Sequence, residues 1–211
     1  PRTRLATHAT LATAATVTLT DNAAHYLTHV MRLREGDCIA LFSKEAGEWR
    51  ARLHTMGKKQ VVLTVEECLR RPTPPLGLTV CFAPIKGGRM ETIIEKATEL
   101  GASVLQPVIT QRSIVDKVNR ERAEAIAREA AEQCERIDWP EIREPVKLLR
   151  LLGDWPSDMP LVYGDESGGG VPVKSCVAAD TNAHDRRWAI LAGPEGGFTP
   201  EELAALRRLK A

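Results

Sequence analysis

Near the end of the chain the sequence reads AGPEGGFTPEEL, residues 192–203. Gly193, Gly196 and Gly197 let a backbone bend sharply and approach a ligand closely. The apolar run 188–192 in front of them reads as a buried strand. Behind them Thr199 is a good N-cap, Pro200 suits the first helical position, and Glu202 completes a capping box. Strand, glycine loop and helix in that order form the layout of a nucleotide site in an α/β domain. Phosphate fits this loop poorly. Its spacing is neither G-x-G-x-x-G nor G-x-x-x-x-G-K-[ST], and it holds no lysine. Glu195, Glu201 and Glu202 crowd the positive end of the helix dipole, where an anion would sit. A nucleoside without phosphate and with positive charge fits better, and S-adenosylmethionine is such a ligand. The same residues also read as an ordinary connection from strand to helix.

A second group of reactive side chains lies in NRERAEAIAREAAEQCER, residues 119–136. Glu129, Glu132, Gln133 and Arg136 fall three or four apart, on neighbouring faces of a helix. Carboxylates and guanidinium groups are types that can move a proton or hold a developing negative charge. The charges of this segment read equally well as a solvated helix face. Glu95, Lys96 and Glu99 read as surface pairs or as a dimer contact. His25 and His29 lie four apart, but no third metal ligand accompanies them. They read as packing or RNA-contact residues, and no metal is expected. Trp49 and Trp188 read as core.

The elements that position these groups change character partway along. Residues 37–42, 48–56 and 60–68 are short runs rich in β-formers, separated by turns at 44–47 and 57–59. Such spacing suggests a small barrel. Between residues 21 and 37 the spacing of Ala24, Leu27, Val30 and Met31 predicts one helix, capped by Asp21 and closed by Gly36. LRRPTPPLG, residues 69–77, has the composition of a linker. After it strands alternate with helices: strands over 78–85, 103–109, 160–166 and 188–193, helices over 88–101 and 119–136. That alternation argues for a mostly parallel sheet with ligands at the strand C-terminal ends. SGGG (167–170) and ADTNAHDRR (179–187) read as loops near that end.

The 211 residues allow one large or two small domains, and 43% hydrophobic content is enough for a normal core. No apolar stretch approaches the ~20 residues of a membrane span, and the N-terminus lacks a signal-peptide pattern. The five cysteines have no metal-site spacing and read as reduced structural thiols of a cytoplasmic protein. Net charge is only +1, but it is divided unevenly. Residues 1–75 hold 11 Lys and Arg against 7 Asp and Glu, together with four of the five histidines. The N-terminal third is therefore the part to expect on nucleic acid.

Five stretches, HYLTHVMRLREGD, IIEKATELG, QRS, EAAEQCER and AGPEGGFTPEE, occur in this order along almost the whole chain. Together they resemble the bacterial ribosomal RNA small-subunit methyltransferase E family, the 16S rRNA (uracil(1498)-N(3))-methyltransferases of the SPOUT superfamily. The resemblance implies an α/β fold with a PUA-like β-barrel over 1–72 that binds RNA, and a SPOUT domain with a trefoil knot from residue 76 to 211. It implies a homodimer that takes a methyl group from S-adenosylmethionine to N3 of one uridine of 16S rRNA in the assembled 30S subunit. A non-catalytic RNA-binding assembly factor on the same fold is the alternative, and a nicotinamide-dependent oxidoreductase is disfavoured by the missing G-x-G-x-x-G.

Carried over by motif, Ala192, Gly193, Pro194, Glu195, Gly196 and Gly197 belong to a loop that wraps the cofactor. Tyr163, Gly164, Asp165 and Glu166 stand where such proteins place another cofactor loop. Arg2, His25, Arg32 and Arg34 match or neighbour the basic positions of the RNA-binding barrel. For the methyl transfer that the resemblance implies, Glu129 and Glu132 are the candidates to accept the N3 proton, and Arg112 from QRS (111–113) or Arg136 to stabilise negative charge on a uracil oxygen. The family pattern continues past the last helix to an L-G-x-x-I-L-R-x-E-T-A segment, expected to enter the knot and supply a third cofactor loop. The sequence reaches Ala211 before that segment.

Overall fold

The computed structural model describes residues 1, 3–57, 59–164, 170–175 and 187–209. The chain forms two compact units. The first is Pro1–Pro74 together with Ala131–Asp138; the second is Pro75–Ala130 together with Trp139–Ala211.

In the first unit, strands β1 (Arg4–Ala6), β3 (Cys38–Ser43), β4 (Gly47–Met56), β5 (Gln60–Arg70) and β2 (Thr16–Thr20) lie side by side in that order. β1 runs parallel to β3 and the other pairs are antiparallel. The alternation in Thr-Val-Thr-Leu-Thr explains β2: Val17 is buried while Thr16, Thr18 and Thr20 face solvent. Leu5, Val17, Leu27, Ile39, Leu41, Leu53 and Leu63 form the core. β5 continues through Arg70, so the proline-rich stretch without regular structure begins at Arg71, inside the predicted linker.

The helix expected over 21–37 does not form as one element. Helix α1 covers only Asp21–His25, follows Thr20 as N-cap with no side-chain cap bond, and passes into a π-helical turn, Tyr26–Val30. Thr28 Oγ1 donates to the carbonyl of Ala24 at 2.8 Å, a bond that competes with helix geometry. Met31 N then donates to Tyr26 O at 2.9 Å, five residues back. Arg32 adopts a left-handed φ of 53°, which ends the helix well before Gly36.

A buried ion pair holds residues 131–138 within this unit. Arg4 and Glu48, with side chains 8% exposed, meet at 2.5 Å, and Arg70 reaches the other oxygen of Glu48 at 2.5 Å. The Arg4 guanidinium lies 4.6 Å from the centre of the Phe42 ring and donates to the carbonyls of Ala131, Glu132 and Arg136. Arg70 donates to Glu135 O at 2.8 Å.

The second unit is built on parallel strands β6 (Leu78–Phe82), β7 (Val104–Ile109), β8 (Glu141–Ile142), β10 (Leu161–Tyr163) and β11 (Trp188–Ala192), in the order β10-β11-β6-β7-β8. The two-residue β9 (Val146–Lys147) also pairs with β7. Helices α2 (Gly88–Glu99), α3 (Arg120–Gln133), α4 (Leu148–Gly153) and α5 (Pro200–Arg208) complete the order. α3 is amphipathic in the expected way: Ala123, Ile126 and Ala127 pack with Phe82, Ile94 and Leu105. Its last residues belong to the first unit. Cys81, Val108, Leu191, Phe198 and Leu206 form a second core cluster.

Burial alone would push the carboxyl of Glu48 up, but the hydrogen bonds from Arg70 and Arg4 outweigh it and hold it below the ordinary value of 4.5. A folded-state pKa below the unfolded one adds stability above pH 4.5, and that stability is lost as pH falls through the folded value. We predict that Glu48→Ala destabilises the first unit by about 3 kcal/mol at pH 7. Denaturant melts of the two proteins should then converge as the pH drops below 4.5.

Candidate functional site

Because β10, β11, β6 and β7 are parallel, the loops that follow them leave the same edge of the sheet. Ala192 pairs with Phe82 and Tyr163 with Leu191, so the ends of β10, β11 and β6 are in register. Ala83 N continues the ladder by donating to Ala192 O at 3.0 Å.

The glycine loop is the segment from Gly193 to Phe198. Gly197 N donates to Pro194 O at 2.9 Å, and Gly197 takes a φ of 68° that a side chain would strain. Phe198, 6% exposed, turns its ring back under the loop. A Cβ on Gly193 would meet that ring at 2.8 Å, so only glycine fits there. Helix α5 then starts as the sequence predicts, with Thr199 as N-cap, Pro200 in the first turn and a complete capping box with Glu202.

The turn after β7 is joined to this loop. Ser113 Oγ accepts from Thr110 N at 2.9 Å and Ser113 N donates to Thr110 O at 3.2 Å, which presents Gln111 and Arg112. Arg112 Nη1 donates to Gly196 O at 2.6 Å. Glu202, 1% exposed, accepts from Gln111 N at 2.8 Å with Oε1. With Oε2 it accepts from Thr199 N at 2.9 Å and Thr199 Oγ1 at 3.2 Å. Gln111 Nε2 donates to Glu201 Oε2 at 2.7 Å. The loop after β6 contributes Arg89, whose exposed guanidinium stands 3.8 Å from Glu195, a pair worth little.

This edge therefore brings Arg112 together with Gly196 and its neighbours, and places Tyr163 and Gly164 at the end of the adjoining strand β10. Among the described residues nothing lies within 4 Å of a Cβ built on Gly164. Asp165, Glu166 and Arg2 lie outside the described residues, as do most of 167–170 and 179–187. Glu129 is exposed on α3 in the second unit. Glu132 and Arg136 fall in the first unit and have other tasks there. Glu132 Oε1 accepts from Ala6 N at 2.8 Å, and Arg136 pairs with Asp138 at 3.0 Å. Glu132 thus closes the end of β1 with one of its carboxylate oxygens.

On the first unit His25 and His29 stack with ring centres 4.5 Å apart and planes 11° from parallel. Thr28 Oγ1 lies 2.7 Å from His29 Nδ1. Arg32 and Arg34 are exposed, and Arg34 N donates to Asp37 Oδ2 at 2.7 Å. Among the described residues no three His, Cys, Asp or Glu gather as a metal site, and the described cysteines are free thiols. Burial pushes the Cys81 thiol up to about 12, so it is not a nucleophile at neutral pH. Among the described residues no helix is long and apolar enough to cross a membrane.

Gln111 and Phe198 of this edge were not singled out from the sequence as site residues. Gln111 stood beside Arg112 in QRS, and Phe198 followed the glycines with an aromatic residue at the loop exit. The loop is suited to a cationic nucleoside: it offers backbone groups and the exposed carboxylate of Glu195, Arg112 spends a donor on the loop itself, and Arg89 is exposed and only loosely paired with Glu195.

The packing of Phe198 on Gly193 makes a sharp prediction. Gly193→Ala should destabilise the second unit by roughly 2 kcal/mol through overpacking. Adding Phe198→Leu should recover part of that loss. A denaturant double-mutant cycle showing additivity would mean the two residues are not in contact.

The RNA methyltransferase domain family matches residues 72–211, and the RNA methyltransferase PUA domain family matches residues 19–66. Ribosomal RNA small subunit methyltransferase E of Synechocystis sp. is 33% identical over 194 residues, which cover 90% of this chain and 63% of that protein. The chain therefore spans less than two thirds of that relative. The protein of the same name from Rickettsia conorii is 30% identical over 190 residues, covering 90% of this chain and 76% of the relative. A crystal structure of ribosomal RNA small subunit methyltransferase E from Neisseria gonorrhoeae bound to S-adenosyl methionine superposes with a TM-score of 0.84 at 25% identity. It covers 98% of this chain and 85% of its own.

Proposed function

Because the chain belongs to the RNA methyltransferase family that includes ribosomal RNA small subunit methyltransferase E, we propose that it methylates N3 of one uridine in 16S rRNA with S-adenosylmethionine as donor. One observation carries the reading. The glycine loop after β11, free of lysine and arginine, is fastened by Arg112 and Glu202 at the ligand edge of a parallel sheet. A relative with the same fold has S-adenosyl methionine bound.

The donor supplies an electrophilic methyl group on a sulfonium, and the protein supplies alignment, exclusion of water and a route for the N3 proton. In this proposal the backbone of 193–197, together with Tyr163, Gly164, Asp165 and Glu166, holds the adenosine end. Glu195 at the loop tip is the carboxylate suited to a cationic ligand. Arg112 keeps Gly196 in place and has further N–H groups to aim at a uracil oxygen as charge develops there. Glu129, exposed on α3, is the carboxylate proposed to accept the N3 proton. Arg2, His25, Arg32 and Arg34 are proposed to hold RNA phosphates, which lets the PUA domain select the assembled small subunit. The trefoil knot, a homodimer and a cytoplasmic site of action belong to the same proposal.

The test is transfer of a labelled methyl group to small subunits that lack the modification, with the product mapped by primer extension. A stop at a single uridine is expected. No transfer and no saturable binding of S-adenosylmethionine would leave a non-catalytic RNA-binding assembly factor instead. Glu129→Gln should lower kcat about 100-fold or more with little change in KM for the donor. Unchanged kcat would place the proton acceptor elsewhere. Arg32→Ala with Arg34→Ala should weaken subunit binding and reduce its dependence on log[salt] by about 2.

A further inference from the structure

Glu202 does more than a capping box requires. In such a box the side chain at the third helical position needs one oxygen, to accept from the N-cap backbone N–H. Oε2 of Glu202 does this for Thr199. Oε1 points the other way and accepts from the backbone of Gln111, 91 residues earlier in the chain. The carboxylate thus serves two N–H donors from two loops while 1% exposed. We propose that Glu202 is a positioning residue that fixes the turn after β7 against the glycine loop after β11, so that ligand affinity at this edge depends on a side chain that no ligand touches.

The proposal rests on the reading of these loops as the S-adenosylmethionine site. Its chemistry is specific to a carboxylate. Glutamine also completes a capping box, but its amide has one acceptor oxygen and an NH2 group. In Glu202→Gln either Gln111 N or Thr199 N would face a donor. Either way the register between Arg112 and Gly196, which share a 2.6 Å hydrogen bond, relaxes. Thr199→Val separates this effect from simple loss of helix stability. It removes the N-cap hydroxyl and leaves both backbone N–H donors of Glu202 in place.

Two measurements on the purified protein and these two variants test the idea. Amide hydrogen exchange without ligand should show Gln111 N–H protected in the parent protein. It should exchange at least tenfold faster in Glu202→Gln and remain protected in Thr199→Val. Calorimetric titration with S-adenosylmethionine should show Kd weakened at least tenfold by Glu202→Gln and less than twofold by Thr199→Val. Unchanged Gln111 exchange in Glu202→Gln would overturn the proposal. So would parent-like affinity in that variant, or equal weakening in both variants, with the cofactor reading left intact. Absence of binding by the parent protein would instead remove the cofactor reading, and the proposed role of Glu202 with it.

Discussion

A single buried carboxylate joins the parts of the candidate site. Glu202 is 1% exposed, and its two oxygens accept from Gln111 N, Thr199 N and Thr199 Oγ1. A charge buried this deeply is tolerated only when its lone pairs are answered by donors. Here the donors come from the turn after β7 and from the first turn of α5, so satisfying the charge forces two loops together. The glycine loop hangs between them. Phe198 packs beneath it, Gly193 leaves room for that ring, and Arg112 takes the Gly196 carbonyl from the far side. The parallel sheet brings the loops to one edge, and the carboxylate sets their register there.

The first unit solves a similar problem in a similar way. Glu48 is 6% exposed and is answered by Arg4 and Arg70. Those arginines also donate to the carbonyls of Ala131, Glu132, Glu135 and Arg136. The last turn of α3 and the residues after it are thereby bound to the β-sheet of the first unit. Among the described residues no buried side-chain polar atom lacks a hydrogen-bond partner. Among the described residues, the buried carboxylates Glu48 and Glu202 each fasten a segment from elsewhere in the chain.

Local features were legible in the sequence and long-range ones were not. The glycine loop and the start of α5 depend on neighbours within four residues, so Gly193, Thr199, Pro200 and Glu202 announce them. The long strands of both units were visible for the same reason. β8 and β9, two residues each, are too short for any period to show. The segment 21–37 carries helical spacing, but the bond from Thr28 to Ala24 and the left-handed Arg32 divide it, and neither is encoded by hydrophobic pattern. Within the site, Arg112 was recognisable by type. The partnership of Gln111 with Glu202 was not, because 91 residues separate them. Glu132 looked like a proton acceptor on its helix, and only the tertiary structure gives its oxygen to Ala6 N.

We propose that the edge where β6, β7, β10 and β11 end holds a cationic nucleoside without phosphate. Backbone NMR of the isotope-labelled protein during separate titrations with S-adenosylmethionine and ATP tests it most directly. Saturable shifts of the amides of Gly193, Gly196, Gly197, Arg112 and Gly164 are expected with S-adenosylmethionine, and none of comparable size with ATP at equal concentration. Shifts centred on other residues, or tighter binding of ATP at these same glycines, would contradict it.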